Sequence, residues 1–242
     1  MKALGCLLVS VILVVAVAEI TLPSIAQQAA KAEAEKMAGP LGASFPLGAT
    51  VEIKSVPAIK YVAGYVDTLT LRASPARVGS VEVDTLLLEA SRVSIDPVSI
   101  MTGRPPTRPT KYGSFRAVMI VTEETITKKA QEIVPIAGAK VTLAGGKAHV
   151  SGSLPILGRT YKIDIVGGIG IVPPDRKRLF FFIDQIELDG RPASAVINAA
   201  VRQVLGDKVL LFDAVRERIP LVFQEVSIQP ESLRIIAGLE TQ

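Results

Sequence analysis

A chain of 242 residues can bury one large domain or two small ones. Apolar residues make up 49% and aromatic ones only 5%, with no Trp, so any interior is built from Val, Ile, Leu and Ala. The lone Cys6 excludes an intrachain disulfide framework and a cysteine-rich metal site, and a net charge of +4 without basic runs or interleaved aromatics speaks against nucleic-acid binding.

Mean hydropathy is high, at +0.41. Part of it comes from the amino end, MKALGCLLVSVILVVAVAE, where Lys2 precedes an uninterrupted apolar run from Ala3 to Ala18. As a helix that run spans roughly 24 Å, a little short of a bilayer core. It reads as either a signal-peptide core, with Ala16-Val17-Ala18 at a cleavage site, or a short single-pass anchor. Positive charge before it and Glu19 after it place the remainder outside the cytoplasm. Residues 1–22 therefore form the targeting or anchoring segment. Pro23 then opens an Ala-rich helix that Gly39-Pro40 stops, giving a second region over 23–40.

From residue 41 onward a single domain is expected. TVEIKSV and DTLTLRA alternate with period two, and VGSVEVDTLLLEASRVSID is long enough for a bent strand or two joined ones. Between the first two, Pro57 fixes φ, Ile59, Val62 and Ala63 form one apolar side, and Gly64 ends a short helical plug. MTGRPPTRPTK, residues 101–111, is a loop on its prolines. FRAVMIVTEETITKKAQEIV reads as strand then helix: Thr122 as N-cap, Glu123 and Glu124 in the first turn, and Ile126, Ala130 and Ile133 as its stripe. Glu124 and Lys128 are spaced for an ion pair.

Four strand-like runs follow, AKVTLAGG, KAHVSGSLPI, RTYKIDIVGGIGIV and KRLFFFIDQIELDG, punctuated by Gly and Pro. ASAVINAAVRQVLG predicts a helix with Ile197, Ala200, Val201 and Val204 on one side and Gly206 as its stop. DKVLLFDAVRERI predicts a second helix, with Phe212, Val215 and Ile219 in line and Pro220 at its end. LVFQEVSIQPESLRIIAGL closes the chain as strand, turn and strand. Strands then helix, twice over, define an α+β fold with a mostly antiparallel sheet.

The motifs of catalysis are missing from this pattern. His149 is the only histidine, which leaves no multi-histidine metal cluster, and in KAHVSGS it reads as a solvent-facing or hydrogen-bonded strand residue. Gly145-Gly146-Lys147 lacks the Ser/Thr and spacing of a phosphate loop, VGGIGIVPP lacks the third glycine of a dinucleotide fingerprint, and SGSLP is not a nucleophile elbow. Asp164, Asp184, Glu187 and Asp189 alternate with apolar residues as on the outer face of strands. Neither an enzyme nor a cofactor is expected. Basic residues gather in two proline-bounded loops, Arg104, Arg108 and Lys111, then Arg176, Lys177 and Arg178. They read either as solvated loop tips or as phosphate contacts at a membrane surface.

The order of these features resembles the LmeA-like phospholipid-binding family, an exported bacterial domain. The resemblance rests on the N-terminal segment and Ala/Glu-rich helix, Val56-Pro57 with Ile59, Val62 and Gly64, then Val66-Asp67, Leu69 and Leu71. VTEETITKKA, FFFIDQIELDGRPA and IPLVFQEVSIQPESLRIIAG complete it over nearly the whole chain, although a glycine expected at the final turn is absent from QPESLRI. What the resemblance implies is a tubular lipid-binding-like fold: a long, curved, mostly antiparallel sheet wrapped around helices, leaving an apolar groove for acyl chains. Candidate wall positions are Leu69 and Leu71, Val81 and Val83, Ile163 and Ile165, Phe180 and Phe182, and Ile186 and Leu188. The partners expected are a phospholipid or similar amphiphile and the membrane. The alternative is a structural or partner-binding envelope protein whose sheets are filled by their own side chains.

Overall fold

A computed structural model describes residues 39–55, 60, 63–94, 111, 113–156 and 158–239. The expected membrane segment, the body of the Ala-rich helix, most of the helical plug, and Arg104 and Arg108 lie outside the described residues. What is described is rich in antiparallel strands, with two α-helices and no closed barrel. The chain divides into two compact units, one from 48–73 and 87–116, the other from 41–47, 74–86 and 117–242.

In the first unit, β2 (Thr50–Lys54) pairs with β3 (Tyr65–Ala73), setting Val51 opposite Leu71 and Ile53 opposite Leu69. These cross-strand pairs put the apolar side of both strands on one face, which is why Leu69 and Leu71 are fully buried. The body of β6 (Thr85–Ser94) continues the order beyond β3, and the first residues of β7 (Ser114–Thr122) continue it beyond β6. Gly64 has φ +77°, a conformation that glycine adopts without strain, and it stands immediately before β3 as the expected end of the plug. Lys60 holds the approach to it through an ion pair with Asp67 at 3.0 Å.

The second unit has three sheet regions. A small one pairs β1 (Ala43–Ser44), β4 (Ala76–Val78) and β5 (Val81–Val83). A larger one runs in the order β12, β11, β10, β9, β8. Its strands are β8 (Ala137–Ala144), β9 (Lys147–Ile156), β10 (Arg159–Ile171), β11 (Arg178–Leu188) and β12 (Arg191–Pro192). The third comprises the end of β7 with β14 (Leu221–Gln229) and β15 (Ser232–Leu239), in the order β14, β15, β7. The joined strands expected of VGSVEVDTLLLEASRVSID are β5 and β6.

One predicted helix is a strand. DKVLLFDAVRERI forms β13 (Lys208–Asp213), antiparallel to β11, followed by turns through Arg218. The apolar run VLLF fits either period, and β11 offered an open edge whose backbone groups needed partners. Asp213 then turns the chain: its Oδ1 accepts from the N–H groups of Val215 and Arg216, at 3.0 and 3.1 Å.

The helices are α1 (Glu123–Ile133) and α2 (Ala195–Leu205). Thr122 occupies the N-cap of α1 as expected, but its side chain caps nothing. Asp84 supplies the negative end instead, accepting from Thr122 N–H at 2.7 Å and from the Thr125 hydroxyl at 3.1 Å. On α2, Ser194 caps the start and Gly206 (φ +78°) the end. Its inward stripe differs from the expected one: Val201 is buried while Val204 is 62% exposed, because the helix turns positions four apart inward and Leu205 takes the next place. Arg202 fastens α2 to β11 through Ile183 O and to Asp207, at 3.2 and 2.8 Å.

The seating of α1 has a regular geometry. Glu123, Thr127 and Gln131, four residues apart, face β8, the last strand of its sheet. Glu123 Oε1 accepts from Leu143 N–H. Thr127 Oγ1 accepts from Val141 N–H at 2.9 Å, and Gln131 Nε2 donates to Ala139 O at 2.8 Å. Four helical residues rise about 6 Å and two strand residues about 6.6 Å, so each polar side chain meets the next strand residue whose backbone N–H or C=O points to the open edge. Side chains thus complete an edge that another strand's backbone would otherwise pair.

Candidate functional site

The second unit encloses an apolar cavity of about 1130 Å³, counted out to its open mouth; the centre of a water molecule can occupy about 110 Å³ of it, so the space is narrow. Its fully buried floor is built by strands of both larger sheet regions. Met119, Val121, Leu221 and Phe223 come from β7 and β14, and Leu233 and Ile235 from β15. Val141, Val150, Ile165, Leu179 and Phe181 come from β8 through β11. The half-exposed rim is α1 on one part and Leu205, Val209 and Leu211 on another. Phe212 stands edge-on to Phe223, with centroids 5.8 Å apart.

Among the described residues only two of those lining it are polar, and both are on α1: Thr125 and Lys129. The hydroxyl of Thr125 is given to Asp84, and the ammonium of Lys129 reaches Glu132 at 2.8 Å. Such a wall offers dispersion and burial, with little directional bonding.

Of the ten expected wall residues, Val81, Val83 and Ile165 line the cavity. Leu69 and Leu71 belong to the packed face of the first unit. Ile163 and Ile186 are buried on the cavity-facing side of their strands but do not line it. Leu188 lines a separate, more open cleft with Tyr161 and Ile197. Phe180 and Phe182 are corrected: the lining is Leu179, Phe181 and Ile183, one position out of phase. The cause is a β-bulge. Along β11, Gln185 opposes Val166 and Ile183 opposes Gly167, which leaves Asp184 without an opposite number and reverses the side chains beyond it. Asp184-Gln185, two consecutive polar residues in an alternating strand, is the signal that marks the bulge in the sequence. Phe180 and Phe182 pack together on the other face, 6.2 Å between centroids, with Lys208 Nζ 4.7 Å over Phe180. Gly167 is required inside the cavity wall, since a Cβ there would stand 2.6 Å from the Phe181 ring and 2.1 Å from Phe182 O.

Among the expected headgroup residues, Lys111 bridges Ser94 in the first unit through both backbone hydrogen bonds, at 2.8 and 3.2 Å. In the second unit, Arg178 is clasped by Asp175 at 3.1 Å and Asp213 at 2.9 Å, so its charge is spent within the fold. Arg176 and Lys177 precede it in the turn before β11. Burial alone would raise the Asp213 carboxyl, but the Arg178 guanidinium and the N–H groups of Arg216 and Val215 outweigh it and hold the group below the ordinary carboxylate value.

His149 and Asp164 face each other across β9 and β10 at 3.9 Å, too far for a hydrogen bond, with both side chains partly exposed. Among the described residues no group of three His, Cys, Asp or Glu side chains could hold a metal ion. No family model matches the chain, and no curated protein or solved structure matches it either.

Proposed function

We propose that this chain is an extracytoplasmic, membrane-associated binder or carrier of phospholipid or a related amphiphile, holding acyl chain in the cavity of the second unit and performing no covalent catalysis. In this reading it is an LmeA-like protein with a tubular lipid-binding-like fold, and its N-terminal segment directs it to, or anchors it in, the cell membrane. The observation that carries the reading is the cavity wall: among the described residues it is apolar except for Thr125 and Lys129, and it is open at a rim of half-exposed aliphatic side chains. A chain of 16 carbons fills roughly 480 Å³ at about 30 Å³ per heavy atom, the volume share of a liquid water. Burying it contributes up to roughly 12 kcal/mol at about 0.8 kcal/mol per methylene, part of which is lost to ordering. Arg104, Arg108, Lys111, Arg176 and Lys177, the basic residues of the two proline-bounded loops, are candidates for contact with lipid phosphate.

The test is organic extraction of the purified full chain beside A148F and V81W, which add bulk at a buried floor position and at the half-exposed rim. Wild type is expected to yield about one lipid per chain beyond what either variant carries, with circular dichroism showing all three folded. Equal lipid in a folded variant and in wild type would favour the alternative, a structural or partner-binding envelope protein.

A further inference from the structure

The face that α1 turns to the cavity carries Thr125, Ile126, Lys129, Ala130 and Ile133, the spacing of one continuous helical stripe. Among the described residues Lys129 is the only charged one on the lining. Its side chain, about a third exposed, lines the cavity beside apolar residues, while its ammonium meets Glu132, whose side chain is 64% exposed. Exposed pairs of this kind are weak, and an ammonium has three N–H groups, so two remain for another oxygen while Glu132 is kept. Asp84 and Glu123, the carboxylates held at the start of α1, are already occupied, by Thr122 and Thr125 and by Leu143 N–H. A lysine whose stem shares the wall with the acyl path and whose head is at the rim recognises a negative head on a greasy tail.

We infer that Lys129 is the headgroup anchor of the cavity, and that the ligand is a single-chain amphiphile with a terminal anion, carboxylate or phosphate monoester. The inference rests on the amphiphile reading above and narrows its ligand. One ammonium at the rim and one narrow apolar space behind it match one anionic head on one chain.

Three probes sharing one diazirine-bearing hexadecyl chain, ending in carboxylate, phosphate or hydroxyl, are photolysed with the full chain in dodecyl maltoside micelles at pH 8. Adducts on β10 and β11 peptides are counted by mass spectrometry. The two anionic probes, or one of them, should label these peptides roughly tenfold more than the alcohol, as one charge-assisted hydrogen bond allows. K129Q should bring the anionic probes down to the alcohol's level and leave the alcohol unchanged, while K129R and K128Q keep the preference. An alcohol that labels as well as the acids, or a preference that survives K129Q, overturns the anchor and leaves the amphiphile reading standing. If no probe labels these peptides, both fall together.

Discussion

Asp213 ends β13 with one carboxylate oxygen on the Arg178 guanidinium and the other on two backbone N–H groups. Because its folded-state pKa lies below the ordinary value, its stabilising effect is present above about pH 4, the unfolded carboxylate range, and is lost as pH falls through the folded value. Urea unfolding of D213N should therefore show a lower midpoint than wild type at pH 7, with the gap closing on acidification below about pH 4. A gap constant from pH 7 to pH 3 would mean that the charge contributes nothing. Single residues also mark where sequence reading stops. The alternation FFFIDQIEL fits a strand, but side-chain phase depends on whether one residue is looped out, and that is decided by pairing with Val166 and Gly167 on β10. Lys129 was hidden in the same way, as an ordinary charged position beside the apolar stripe of α1.

At the scale of elements, strand positions were legible where polar and apolar residues alternate between Gly or Pro breaks, as for β2, β3 and β8 through β11. The helix α1 was legible from its stripe and its acidic first turn. The mistaken helix over residues 207–219 shows the limit, since a short apolar run takes the state its neighbour offers. Equally invisible was the polar stripe of α1, because Glu123, Thr127 and Gln131 look like solvent residues until β8 is beside them. Replacing Thr127 by Val keeps the shape and leaves Val141 N–H without its acceptor. T127V should cost about 1–3 kcal/mol in denaturant unfolding. It should also speed amide exchange at Val141 more than at Val150, whose strand is interior to the sheet. Unchanged exchange at Val141 would show that water replaces the hydroxyl without loss.

For the whole molecule, composition predicted the aliphatic character of the interior, and residue order predicted its sheets. The existence of a cavity was not legible, because Val81 and Ile165 on its wall and Leu69 and Leu71, buried in the first unit, carry the same pattern. Pattern records which side of a strand avoids water, and volume depends on how far apart two such sides are held. If the cavity takes an amphiphile, the second unit gains stability by mass action. Hexadecyl phosphate at about a hundred times its Kd should add about 2.7 kcal/mol to wild type and little to A148F, read as a rise in Tm. An equal rise in both would place the binding elsewhere.

The matched steps of α1 and β8 have a consequence for length changes. A residue added within α1 between Thr127 and Gln131 would swing everything after it by about 100°, moving Gln131 off Ala139 and turning Ile133 away from the cavity. A residue added between Ala139 and Val141 would flip the strand's faces instead, burying Lys140. Length in this stretch is therefore locked on both partners at once. A turn such as Gly145-Gly146, where both residues have positive φ and an added Cβ would meet nothing within 4 Å, should accept an insertion that its neighbours some few residues away refuse.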